Sequence, residues 1–114
     1  MTDARRVYLL GRKVRHSVSP VFQNAAFRAL GLSFVYEPLE FEPEALGEAL
    51  QRVRSSDCAG ANVTIPYKED VAKAADVVDD TVKALGAANT LLNSGGRLEA
   101  HNTDVGGFTA SLLA

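Results

Sequence analysis

Hydrophobic and polar positions follow two periods along this chain, and the switches between them mark its elements. Residues 7–10 form a short apolar run closed by Gly11, the pattern of a buried strand. A polar loop follows. Ser19 can cap a helix and Pro20 can take its first position. Phe22, Ala25, Ala26, Ala29 and Leu30 then recur at helical spacing, and Gly31 ends the helix. Residues 33–41 alternate and are rich in aromatic and branched side chains, and Pro38 among them predicts an edge strand or a bulge. Pro43 opens a second helix, with Leu46, Ala49, Leu50 and Val53 on one face. Residues 59–64 read as a third strand, and Pro66 opens a third helix whose buried side is Val71, Ala74, Ala75 and Val78. A shorter helix covers 80–85 and stops at Gly86. Residues 89–93 and 97–101 flank Ser94-Gly95-Gly96, a hairpin signal. Asn102-Thr103-Asp104 can cap a last helix striped by Val105, Phe108 and Leu112.

Strand and helix alternate over the first seventy residues, which argues for βαβ units and a parallel sheet. The late hairpin adds an antiparallel pair. The expected fold is therefore α/β with three layers: an open, mixed, mostly parallel sheet flanked by helices. Ligands of such sheets bind outside the carboxyl ends of the strands. The loops after strands one and three should meet at that edge.

Composition narrows the picture. A chain of 114 residues, 46% hydrophobic and 23% charged, has the makeup of one globular domain with one core. A formal charge of −2 supplies no global attraction to nucleic acid or to an acidic membrane. Arg5, Arg6, Arg12, Lys13 and Arg15 cluster near the N-terminus, either as a solvated basic edge or as a local field for an anionic metabolite. Cys58 is the sole cysteine, so no intrachain disulfide forms, which fits a reducing, cytoplasmic setting. It reads as a core residue. No apolar run approaches a membrane span, and no signal-peptide pattern opens the chain. The last apolar stripe runs up to Ala114 with no glycine, proline or polar tail, which predicts a longer protein.

Two polar islands carry the chemistry: HSVSP at 16–20 and NVTIPYK at 62–68. Ser17 and Ser19 offer two hydroxyls beside the free N–H groups of a helix start, a setting for a helix cap, a carboxylate or a phosphate. Asn62 and Thr64 lie two apart on a strand and share a face. Lys68 follows in the first turn of a helix, where unpaired N–H groups repel a cation. An amide, a hydroxyl and an ammonium in one place suit a polyhydroxylated or carbonyl-bearing ligand, with lysine as acid or base. The competing reading is a surface lysine beside Glu69 and Asp70. Asp104 is the candidate carboxylate partner, or only a helix cap. Asn89 is a ligand group or a turn residue. His16 and His101 have no spaced partners for a metal, and neither GxGxxG nor GxxxxGK[ST] occurs.

Taken together, these residues resemble the shikimate dehydrogenase family. HSVSP is similar to its serine-x-serine-proline motif, and NVTIPYK to its asparagine-valine-threonine-x-proline-x-lysine motif. GAANT at 86–90 and NTD at 102–104 match its third and fourth motifs in order. The resemblance implies a substrate-binding catalytic domain over 1–104, and at 105–114 the start of a linker helix to an NADP-binding Rossmann domain beyond this chain. It implies NADPH-dependent, reversible reduction of 3-dehydroshikimate to shikimate. It implies that Ser17 and Ser19 bind the substrate carboxylate, and that Asn62, Thr64, Asn89 and Thr103 line the hydroxyl side of the ring. Lys68 and Asp104 would be the catalytic pair, and Asp80 the acidic residue near the cofactor. Lys13 stands where the family often has proline, and Gln23-Asn24 where it often has His-Asn. A quinate/shikimate paralogue and a non-catalytic module for a carboxylate metabolite are the alternative readings. Oligomeric state is open between monomer and homodimer.

Overall fold

The computed structural model describes residues 4–103; Asp104 and the expected last helix lie outside the described residues. The elements run β1 (Arg5–Gly11), α1 (Ser19–Ala29), β2 (Phe34–Glu40), a short 3-10 turn (Pro43–Ala45), α2 (Leu46–Arg54), β3 (Cys58–Val63), α3 (Lys68–Ala74), β4 (Val77–Val78), α4 (Asp80–Leu85), β5 (Thr90–Ser94) and β6 (Arg97–His101). They build one six-stranded sheet in the order β2-β1-β3-β5-β6-β4. β1 pairs in parallel with β2 and β3, and β4 with β6, whereas β5 runs antiparallel to both β3 and β6. The expected mixed sheet is the observed one. Pro38 sits on the edge strand β2, opposite Leu9, where a missing N–H leaves no ladder bond unmade.

The main core joins one face of the sheet to α2, α3 and α4. Leu10, Val53, Val71, Val82, Leu91 and Leu98 are fully buried in it. Cys58 belongs to it too, with its Sγ 3.3 Å from the Gly60 carbonyl. A smaller cluster of Leu9, Val14 and Tyr36, backed by Val7 and Phe27, lies on the α1 side. Two glycines permit close approach. A Cβ on Gly60 would stand 2.2 Å from the Leu91 carbonyl oxygen, so the β3–β5 contact needs a residue without one. A Cβ on Gly11 would meet Val14 Cγ1 at 2.4 Å and Thr64 Cγ2 at 2.7 Å. The hairpin turns through Gly95 and Gly96, whose φ values of 62° and 90° only glycine adopts easily.

Three expectations need correction, and α1 adds a finding of its own. No residue of α1 is buried, and Phe22 is 70% exposed. The helix instead touches the sheet through Phe27, whose ring lies 5.3 Å from that of Phe34, and through Asn24. Ser19 is not the cap: Val18 takes that position, and Ser19 and Pro20 open the helix. Pro66 does not open α3 either, because the Ile65–Pro66 peptide is cis and the helix begins two residues later at Lys68. Finally, Ala74 is exposed, while Val78 belongs to β4, a two-residue strand too short to show a period.

Candidate functional site

The carboxyl ends of β1 and β3 lie side by side, and backbone bonds draw three further segments to them. The Thr64 N–H donates to the Leu10 carbonyl at 2.9 Å, which ties the loop after β3 to the end of β1. The Thr64 carbonyl accepts from the Tyr67 N–H at 3.1 Å and so shapes the turn before Lys68. Tyr67 anchors that turn: its ring stacks on Phe41 at 4.4 Å and its hydroxyl donates to the Phe41 carbonyl. Lys68 is the first residue of α3, and its carbonyl accepts the Ala88 N–H at 2.9 Å. That bond brings up the loop before β5. Within the loop, the Asn89 carbonyl accepts the Val63 N–H at 2.8 Å, and the Asn89 N–H donates to the His101 carbonyl at 3.0 Å.

Side chains complete the join. Asn89 donates from Nδ2 to Thr103 Oγ1 at 2.9 Å, and its Oδ1 accepts the Thr103 N–H and the Thr90 hydroxyl, each at 3.0 Å. Asn62 stands opposite Thr90 in the β3–β5 register. Its Oδ1 accepts the Tyr36 hydroxyl at 2.8 Å. Asn62, Thr64, Lys68, Asn89 and Thr103 thus belong to one connected patch drawn from four segments.

The serines sit on the neighbouring loop. The Glu40 carboxylate accepts the Val14 and Arg15 N–H groups, both at 3.1 Å, and these bonds hold its carboxyl below the usual range. The Ser17 N–H donates to the Val14 carbonyl at 3.0 Å, and Ser17 Oγ accepts the Ser19 N–H at 3.1 Å. No hydrogen bond between described residues joins either serine to the Lys68 patch. A hollow of about 470 Å³ is lined from both loops, by Arg12 and Lys13 on one side and Thr64, Ile65 and Pro66 on the other.

The basic N-terminal run is mostly paired internally. Arg6 bridges Glu37 at 2.9 Å and Asp57 at 3.3 Å, Arg12 meets Glu42 at 2.9 Å, and Arg15 meets Glu40 at 3.5 Å. Arg5 donates to the Cys58 carbonyl at 2.9 Å. Three of its five cations thus face carboxylates and Arg5 faces a carbonyl, while Lys13 lines the hollow beside Arg12. Asp80 is exposed at the start of α4, and no hydrogen bond between described residues links it to the patch. The preceding residue, Asp79, does the capping: its Oδ1 accepts the Val82 N–H at 2.8 Å. Its Oδ2 lies 3.1 Å from His101 Nδ1. The cap bond, aided by His101, holds the Asp79 carboxyl below the usual range.

A dinucleotide needs a strand–glycine turn–helix cradle. Among the described residues, the glycines with positive φ follow α1 and α4 or form the hairpin turn. None lies between a strand and a following helix. The described residues thus hold no cradle for a dinucleotide of their own.

Sequence reasoning left out two residues that shape this patch. Gly11 was legible only as the end of a strand, although glycine beside a bulky loop signals close packing. Tyr36 had a faint signal, a tyrosine at an inward-facing position of an edge strand, where its hydroxyl must find a partner.

A mixed α/β sheet with polar side chains gathered at the carboxyl ends of its parallel strands defines a small-molecule-binding domain of the open-sheet kind. Residues 9–91 match the family model described as the shikimate dehydrogenase substrate binding domain, and the chain belongs to that family. It is 43% identical over 106 residues to a protein named shikimate dehydrogenase (NADP(+)) from Halothermothrix orenii, an overlap covering 93% of this chain and 37% of that one. The crystal structure of shikimate dehydrogenase from Aquifex aeolicus superposes with a TM-score of 0.89 at 40% identity, covering 98% of this chain and 43% of that one. The enzyme from Thermus thermophilus, crystallised in complex with NADP(H) and shikimate, superposes with a TM-score of 0.87 at 38% identity, covering 96% and 41%. The chain spans less than half the length of these proteins. Among the described residues no helix is long and apolar enough to cross a membrane.

Proposed function

We propose that this chain is the substrate-binding part of an NADP-dependent shikimate dehydrogenase, which interconverts 3-dehydroshikimate and shikimate. The observation that carries this reading is the patch at the carboxyl end of β3, where Asn62, Thr64, Lys68, Asn89 and Thr103 come from four segments of a chain of this family. The complex of the Thermus relative with NADP(H) and shikimate supports it.

In this reading Ser17 and Ser19 take the carboxylate of the ring. Asn62, Thr64, Asn89 and Thr103 take its hydroxyls. Lys68 stands by the oxygen that changes oxidation state. Reduction of a ketone builds negative charge on that oxygen, and an ammonium there stabilises the charge and gives up the proton. In the reverse direction the amine accepts the hydroxyl proton. Asp104 would hold the amine and share its proton. A nicotinamide would supply the hydride when bound, and the described residues hold no strand–glycine turn–helix cradle for it. The steps assigned here therefore concern the substrate alone.

The test is calorimetric titration of the chain with shikimate and with quinate. Shikimate should bind, and more tightly than quinate. Absence of binding to shikimate up to millimolar concentration would sink the reading. In the complete protein, Lys68→Ala should lower kcat far more than it raises KM. A rise in KM with kcat unchanged would remove Lys68 from the proton step.

A further inference from the structure

Tyr36 lies on the edge strand, 26 positions from Asn62 in the chain, yet its hydroxyl is 2.8 Å from Asn62 Oδ1. The side chain is 4% exposed, packed with Leu9 and Val14. Burial raises the phenol pKa, so the hydroxyl keeps its proton and acts as a donor. Asn62 Oδ1 is the acceptor this hydroxyl meets among the described residues. This matters for the amide. An asparagine side chain presents a donor at one end and an acceptor at the other. Were the Asn62 amide reversed, the hydroxyl hydrogen would lose its acceptor, and a buried unsatisfied donor is costly. Tyr36 therefore selects one orientation, with Oδ1 toward the tyrosine and Nδ2 turned away from it.

Tyr36 is itself held at both backbone groups. Asn24 on α1 donates from Nδ2 to the Tyr36 carbonyl at 3.0 Å and accepts the Tyr36 N–H on Oδ1 at 2.8 Å. Contacts therefore run from α1, which begins at Ser19, through β2 to Asn62 on β3.

We propose that Tyr36 is a positioning and specificity-determining residue: its bond to Asn62 Oδ1 reserves Nδ2 as a donor to the ligand, so the ligand atom met there must be an acceptor oxygen. This rests on the reading of the patch as the shikimate site. The tyrosine does not touch the ligand. It acts through the asparagine.

The experiment has two arms. Without ligand, NMR of the chain should find the Tyr36 hydroxyl proton protected from exchange in the wild type, with that protection lost in Asn62→Ala. An equally protected hydroxyl in Asn62→Ala overturns the link between the two residues, whatever the ligand proves to be. With shikimate, Tyr36→Phe should weaken binding about tenfold, the loss of roughly one hydrogen bond. In an Asn62→Ala background the same change should cost less than about twofold, because no amide remains to orient. Equal losses in both backgrounds would mean that Tyr36 serves packing alone, and would overturn the proposal. If the wild type does not bind shikimate, the reading of the site fails, and the ligand-free arm still decides the positioning role. Should Tyr36→Phe not fold, hydroxyl exchange in Asn62→Ala decides the matter by itself.

Discussion

Ser17 Oγ accepts the backbone N–H of Ser19 at 3.1 Å, so two serines two positions apart do different work. Ser17 satisfies a free donor at the start of α1, whereas the Ser19 hydroxyl makes no hydrogen bond among the described residues. Ser17→Ala should therefore cost about 1 kcal/mol of stability, the usual value of such a bond, and also weaken shikimate binding. Ser19→Ala should weaken binding with the thermal midpoint unchanged. Paired melting curves and titrations separate the two, and a Ser19→Ala variant that melts early would show that its hydroxyl is structural.

The two closely packed glycines give a stability prediction and a site prediction. Gly60→Ala drives a Cβ into the backbone oxygen of Leu91, which cannot rotate away, so β3 and β5 must part. A loss above about 2 kcal/mol, or failure to fold, is expected. Gly11→Ala presses instead on the side chains of Val14 and Thr64. It should destabilise by about 1–3 kcal/mol and, by shifting Thr64, reduce affinity for shikimate. Urea unfolding with parallel titration checks both. Wild-type affinity in Gly11→Ala would take Thr64 out of the site.

Asp79 predicts a pH dependence. Its carboxyl ionises more readily in the folded chain than in the unfolded one, chiefly because it accepts the Val82 N–H. The unfolded chain therefore takes up the proton first as pH falls. The stabilisation is complete above the ordinary carboxylate range, about pH 4, and is lost as pH drops through the lower native value. Asp79→Asn keeps a capping oxygen but cannot titrate. It should flatten the decline of urea midpoints below pH 4. An unchanged slope would assign acid sensitivity to Glu40, Asp57 and Asp76, whose carboxyls are also held low by hydrogen bonds.

Asn24 predicts how α1 is held. The helix buries no residue, so the two bonds from Asn24 to Tyr36 are a large part of its attachment. Asn24→Ala should cost about 1–3 kcal/mol. Amide exchange should quicken in α1 and β2 before it does in β3. Uniform acceleration across the sheet would contradict this.

Much of this was legible in the chain. The run before Gly11, the alternation around Tyr36, the hairpin glycines and the stop at Gly86 are local signals, and local backbone physics set them. The meeting of the loops after β1 and β3 was also foreseeable, because parallel strands direct their following loops to one edge, whereas Asn89 reaches that edge just before the antiparallel β5. Other features had no local mark. Val77–Val78 is too short for a period. The apolar spacing of α1 marked a helix, yet spacing does not say whether these residues supply its cover. Side-chain bonds such as Tyr36 to Asn62 depend on distances across three strands that no spacing encodes.

The clamp of Asn24 on β2 has a consequence for how this protein behaves in a crowded solution. Outward-facing groups on an unpaired strand invite a second chain to extend the sheet. At Tyr36 those groups are already engaged by the Asn24 amide, and at Pro38, the next outward position, there is no hydrogen to offer. Tyr36 offers an incoming strand neither group and Pro38 only its carbonyl, so growth of intermolecular β-structure from this border is disfavoured at its middle.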